Sequence, residues 1–452
     1  MFWTTLALAL ALAAPFAAPS HGDAPSPARG LKLLYGKAYQ GFGVTIDEFD
    51  RLWTVWPKDL RRAAEAADDA GRRALALERY GLPLDPERGS ATPVAFAESA
   101  PGEWTLSCLA CHGGDVRGQY VPGLGNSRFA FQTLVRDVLW LRRKDKRAFS
   151  EQDEGMALAT LNASDGTTNA QVFSAVFLAF RDRNLERQQP PDEELLQSLV
   201  EHDLDAPPLW NVRYKSRLYC DGYVGKDARV MMQFALALEN DGATVRGFEG
   251  DFAHVQAWIE SLEAPRWPGT VKDSLVARGE EVFLESCARC HGTYGPDATY
   301  PEKRVAREDI GTDSVRLDGL PRGFKERLKG SWLARFGKVP VDVDADGYVA
   351  PPLHGIWASA PYFHNGSVPT LWHVLHPSSR PVAWRRDPTG YDAQRVGLLV
   401  EERDAPPALE RADERRRWFD TRYRGKGAQG HDYPAQLDEA QRRALLEYLK
   451  TL

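Results

Sequence analysis

The chain has 452 residues, enough for two or three domains with a sizeable core, and an ordinary hydrophobic share of 43%. Its formal net charge of −6 offers no general basic character for a nucleic-acid partner. Its 5 cysteines are an odd number, so they cannot all pair as disulfides.

In chain order, residues 1–20 (MFWTTLALALALAAPFAAPS) read as an export signal. The apolar run from Leu6 to Ala18 is shorter than the ~20 residues needed to cross a bilayer, and it ends in small residues and proline. With no other candidate membrane span, the mature chain is expected to be soluble and periplasmic or secreted. Residues 21–30 read as a Pro/Ser/Gly leader. From Leu31 to Tyr80 helical signals dominate. Thr45 and Glu48 stand at capping-box spacing, and an alanine-rich charged stretch ends on Gly81, a helix-stop residue. Further helices are predicted over 129–144, 192–203 and 228–239. The stretch LEAPRWPGT (262–270), with two prolines and a glycine, is the best domain boundary. A helix then runs into residue 291, and an amphipathic helix closes the chain. Strand signals are few. The expected fold is mainly α, with an N-terminal domain over 31–262 that carries additional helices, a C-terminal domain over 270–452, and long loops in both.

Two short stretches carry the chemistry. WTLSCLACHGG (104–114) and SCARCHGTYG (286–295) both contain Cys-x-x-Cys-His, so Cys108, Cys111 and His112 are matched by Cys287, Cys290 and His291. A thioredoxin-like redox pair needs a surrounding βαβ pattern that neither copy has, and zinc needs two such half-sites brought together. Neither needs histidine directly after the second cysteine. Covalent haem attachment does. The thiols add to the haem vinyl groups, and the turn they share presents the next imidazole to the iron. Two covalently bound haem c groups are therefore expected, one in each domain. Beyond this motif the internal repeat is slight. The fifth cysteine, Cys220, is expected to be buried.

The second axial ligands are narrowed by elimination. Met1, Met156, Met231 and Met232 are the methionines, so the C-terminal haem must draw on His354, His364, His373, His376 or His431. A low-spin electron-transfer haem takes two strong ligands. In the N-terminal half Met156, His202, His254, Met231 and Met232 are available. None stands out, which leaves room for an open iron.

PPLHGIWASAPYFHNGSVPTLWHVL (351–375) resembles the di-haem c-type peroxidase superfamily, and within it the rubber-oxygenase-like branch. Similar stretches include CARCHGTYG, RPVAWRRDPTGYDAQRVGL, APPLWNVRYKSRLYCDGY and the C-terminal GHDYPAQLDEAQRRALLEYLKTL. The resemblance covers nearly the whole chain after the leader. It implies two cytochrome-c-like domains, a reactive N-terminal haem and an electron-transferring C-terminal haem with two histidine ligands. On this match His291 is proximal and His431 in GHDY is distal, with His364 the runner-up; His364 is otherwise expected near the haem edge, bonded to a propionate. Gly279 and Phe283 sit where small cytochromes c pack their first helix. Pro122 in VPGLGN is placed where cytochromes put the proline whose carbonyl takes the Nδ1 proton of the proximal histidine, here His112. The distal wall of the N-terminal haem is expected from 209–232, with Trp210, Asn211, Tyr214 and Tyr219 as lining. A cap by Met231 or Met232 would close that haem instead.

The sequence also departs from the peroxidase pattern, which places Arg and then Glu after a WDG segment. Here CDGYVGKDARVMMQFALAL has Tyr223 in the Arg position and no Glu or His from 222 to 238. Peroxide cleavage needs a positioned proton shuttle, so O2 is the favoured oxidant over H2O2. The chain is also shorter than expected of a rubber oxygenase. Three readings follow: an O2-activating oxidoreductase, a peroxidase or peroxide-driven oxidase of an organic or protein substrate, and a plain electron carrier. A small redox protein is the expected electron donor. Trp210 and Trp332 are candidate relays between the haems.

Overall fold

The computed structural model describes residues 24–149, 153, 164–200, 202–335 and 337–452. The export-signal expectation and Met156 lie outside these residues. Part of the expected leader is helical: Pro27–Gly36 forms a helix in which Ser26 accepts from the Arg29 N–H and proline occupies the first turn, where its missing N–H costs nothing. Thr45 and Glu48 form the complete capping box of Ile46–Arg51. The alanine-rich stretch is two helices, Lys58–Glu65 and Asp69–Tyr80, with Asp68 capping the second and Gly81 ending it at a left-handed φ of 63°. Phe131–Lys144 is helical as predicted. Over 192–203 only Glu193–Ser198 is helical, and over 228–239 one turn, Ala228–Met231, runs into a 3-10 turn at Met232–Ala235. Tertiary packing overrides weak local propensity there.

The expectation of a mainly α chain is corrected. Helices are the most frequent elements, but among the described residues they share the fold with five small antiparallel sheets, two of them three-stranded. One sheet joins Gly43–Thr45, Glu103–Leu106 and Phe96–Ala100, and leads directly into the first Cys-x-x-Cys-His turn. The other joins Ala383–Asp392, Gly397–Arg403 and Trp418–Asp420. Its strands are rich in charge, with Arg385 opposite Glu401 at 2.6 Å. That cross-strand pairing hides the usual apolar alternation.

The same packing device occurs twice. Asp273–Ser286 crosses the closing helix Glu439–Leu449 at Gly279, where a Cβ would lie 2.1 Å from the Ala444 carbonyl oxygen, and Phe283 meets Tyr448 at 5.3 Å. Pro27–Gly36 crosses Glu249–Ser261 at Gly30, where a Cβ would lie 2.2 Å from the His254 carbonyl oxygen. Both crossings need glycine for close backbone approach. One apolar core takes Leu34, Val94, Trp210 and Trp258 together with Val282, Phe283, Trp357 and Leu445. It therefore draws on both sides of 262–270.

Candidate haem-binding site

Each Cys-x-x-Cys-His motif lies on one tight turn, Leu109–His112 or Ala288–His291, closed by a bond from the histidine N–H to the first cysteine's carbonyl at 3.1 Å. This puts the two sulfurs and the imidazole on one side of a helical turn. Burial pushes the thiols of Cys108 and Cys111 up to about 11 and that of Cys287 to about 12, so they are held protonated.

The imidazoles are fixed in matching ways. His112 Nδ1 lies 3.1 Å from the Pro207 carbonyl oxygen, and His291 Nδ1 lies 2.8 Å from that of Pro351. Burial lowers the His112 pKa to about 4 and that of His291 below its ordinary value. Each ring is therefore neutral, donates from Nδ1 and keeps its Nε2 lone pair for a metal.

Pro207, not Pro122, is the partner of His112. The Pro122 loop lies one layer further out. Gly123 accepts from the Leu209 N–H at 2.8 Å, and a Cβ on Gly125 would lie 1.9 Å from the Ala206 carbonyl oxygen, so this loop supports the segment that holds His112. Both acceptor prolines belong to a repeated Ala-Pro-Pro-Leu, at 206–209 and 350–353. The repeat is thus deeper than the cysteine motif. It comprises a glycine helix crossing, a Cys-x-x-Cys-His turn and a proline acceptor, and the doubled tetrapeptide was its readable signal. Trp210 Nε1 donates to the His354 carbonyl at 2.7 Å and Asn211 Nδ2 to that of Pro352 at 3.0 Å, tying the two proline segments together.

The C-terminal half-site has a facing ligand. The His431 ring centroid lies 6.2 Å from that of His291, with the planes at 65°. Two imidazoles each about 2.0 Å from one metal would have centroids roughly 6.3 Å apart. The residues therefore fit an iron held between them. His431 takes a φ of 49°, its N–H donates to Ile310, and Arg380 holds the preceding Gly430 carbonyl at 2.7 Å. The other histidines are engaged elsewhere. His373 pairs with Thr370 and Glu402, His376 bonds Trp372 and Glu439, and His354 is stacked on by Tyr214 and met edge-on by Tyr294. His364 stacks on Tyr348 at 4.1 Å; burial, then Arg316, lowers it to about 3.

The four residues expected as a distal wall do not come together. Trp210 and Asn211 are buried in the bridge between the proline segments. Tyr214 is exposed and stacks on His354 at 4.1 Å. Tyr219 stacks on Tyr223 and its hydroxyl accepts from Gln233 at 2.5 Å. The wall expectation fails because 207–214 runs along the His112 side, where Pro207 binds. Trp332, the other relay candidate, packs beside Arg229. His254 accepts from the Ser26 N–H, and Met232 is buried in a separate apolar core. Cys220 is a half-buried free thiol pushed up to about 11 by burial.

A buried polar cluster went unread in the sequence. Arg316 is fully buried, bonds Gln171 and reaches Asp221 at 3.3 Å, while its Nε and Nη1 have no protein partner. His202 lies beside it, lowered to about 4 by burial and then by Arg316. The unfolded chain protonates this imidazole near 6.5 and the folded one only near 4. Its contribution to stability is therefore complete above pH 6.5 and is lost as pH falls towards 4. In urea unfolding, the loss of stability between pH 7 and pH 5 should be about 2 kcal/mol smaller in His202→Asn than in wild type.

Residues 347–385, which include the Pro351 segment, match the family model described as RoxA-like, cytochrome c-like. This relates the chain to RoxA-like cytochromes, and so to haem c and a haem-based oxidoreductase or electron-transfer role. The chain is also similar to two uncharacterized Sinorhizobium fredii proteins, y4iM at 28% identity over 55% of this chain and y4iJ at 27% over 42%. The alignments span 64% and 41% of those relatives. No helix among the described residues is long and apolar enough to cross a membrane.

Proposed function

We propose that this is an exported di-haem c-type oxidoreductase, with O2 activated at the haem held by His112 and electrons passed through a bis-histidine haem held by His291 and His431. The observation that carries the reading is the facing pair of imidazoles at 6.2 Å behind one of two like-built Cys-x-x-Cys-His turns. His112 has no such counterpart among the described histidines, which leaves its iron the one able to take an exogenous ligand.

Haem, when bound, supplies the redox iron and the site for a diatomic ligand. The chain supplies its environment. The Pro207 and Pro351 carbonyls keep the proximal protons on Nδ1 and so set the donor strength of Nε2. The Trp210 and Asn211 bonds hold the two proximal segments in fixed relation. Arg316, with two buried donor nitrogens free, is placed to take a carboxylate. Tyr223, where peroxidases have arginine, is buried against Phe324 and between Arg316 and Lys325, and offers no mobile proton carrier.

Mass spectrometry of the mature protein is expected to give the polypeptide plus two haems, lost one at a time in Cys108→Ala/Cys111→Ala and Cys287→Ala/Cys290→Ala. Carbon monoxide added to the reduced protein should shift one haem stoichiometrically. A shift of neither would leave an electron carrier, and a shift of both would remove the bis-histidine assignment.

A further inference from the structure

Among the described residues the exposed aromatics Trp140, Phe149 and Tyr423 stack on no other ring, whereas Tyr214 begins a ladder. Tyr214 is 42% exposed as a residue, and its ring lies flat on His354 with centroids 4.1 Å apart and planes at 7°. His354 meets Tyr294 edge-on at 4.9 Å. The Tyr294 hydroxyl donates to the His291 carbonyl at 3.1 Å and accepts from the Leu353 N–H at 2.7 Å. A second route runs from His354 through the backbone to Pro351, whose carbonyl holds His291 Nδ1 at 2.8 Å. Both routes start at one surface ring and end on one proximal ligand. His354 occupies the place that Trp210 holds in the other Ala-Pro-Pro-Leu copy, and Trp210 bonds its carbonyl. The same residue therefore joins the ladder to the His112 half-site.

We infer that Tyr214, His354 and Tyr294 form an electron port, through which an external one-electron donor touching the Tyr214 ring reduces the haem held by His291. The donor loses one electron and the iron gains it. No bond forms or breaks, and Tyr214 ends in its starting protonation state. Arg213, exposed and with its guanidinium 5.8 Å from the Tyr214 ring centroid, puts a positive charge at the rim, which favours a donor with an acidic contact face. This inference rests on the bis-histidine haem proposed above.

The test uses the full-length, haem-loaded protein in anaerobic stopped flow, with ascorbate and a reduced blue-copper protein as donors in separate arms. Tyr214→Ala and His354→Leu are expected to slow reduction of the low-spin haem about tenfold, and Tyr214→Phe and the control Tyr423→Ala to stay within about twofold of wild type. The low-spin spectrum and midpoint potential should not move, which separates loss of a route from damage to the haem site. Slowing in both arms supports a general port, and slowing with the copper protein alone supports a protein donor seated on this ring. Wild-type rates for Tyr214→Ala in both arms overturn it. If the wild-type protein has no low-spin haem, the bis-histidine reading itself fails, and that outcome is visible before any variant is mixed.

Discussion

Replacing His431 with alanine is expected to convert the C-terminal haem from low to high spin while leaving it covalently attached. Thioethers at Cys287 and Cys290 would hold the macrocycle whichever axial ligand is lost, and His291 stays fixed by Pro351. What disappears is the one described imidazole that faces His291, and with it the strong second field that would keep the iron low-spin. Electron paramagnetic resonance and the near-infrared charge-transfer band read the change directly. A second carbon monoxide molecule should then bind per reduced protein. His364→Ala serves as the contrast. His364 stacks on Tyr348, whereas it is the His431 ring that faces His291, so loss of His364 should leave the spin state alone and move at most the potential. If His364→Ala were the variant that turned high-spin, the axial assignment would be wrong.

Gly279→Val is expected to lower stability by about 3 kcal/mol or more, since overpacking against a fixed backbone cannot be relieved by a rotamer change. Its Cβ would sit 2.1 Å from the Ala444 carbonyl oxygen and 2.7 Å from Tyr448 Cβ, so the two helices would have to separate. Phe283 and Tyr448 would then part as well, opening the core behind Cys287. Gly295→Ala is the control, because no atom lies within 4 Å of the position where its Cβ would stand; its left-handed φ of 99° costs only local strain. Denaturant unfolding of the haem-loaded proteins reads both. Equal midpoints for Gly279→Val and wild type would mean that the crossing is looser than described.

Features written in a few adjacent residues were legible in the sequence. The Cys-x-x-Cys-His turns, the Thr45–Glu48 box and the Gly81 stop each depend on residues within one or two helical turns. The shortage of methionine likewise directs attention to histidine for the second half, where the His431 ring faces that of His291. What escaped depends on distant partners. The carbonyl that orients His112 arrives 95 residues later and that for His291 60 residues later, so position alone favoured Pro122, which is nearer in the chain. Trp210, Asn211 and Tyr214 were expected as a distal wall, but their direction is set by 352–354, more than a hundred residues away. The Ala383–Arg403 hairpin was hidden because its pairing rests on arginine and glutamate. Arg316 gave no signal at all, since a lone arginine in a polar stretch reads as solvated surface.

The bridge between the two proline segments bears on any attempt to treat the halves as interchangeable parts. Cutting within 262–270 would release neither half as a self-sufficient cytochrome. Each fragment would carry away one side of a joint interior, Trp210 and Trp258 on one and Trp357 and Leu445 on the other, and would present it to water as an adhesive patch. Grafting a foreign second half would meet the same obstacle, because its counterpart of His354 must offer a backbone oxygen where the Trp210 indole points. Exchanging one half therefore calls for re-fitting the interior face of the other.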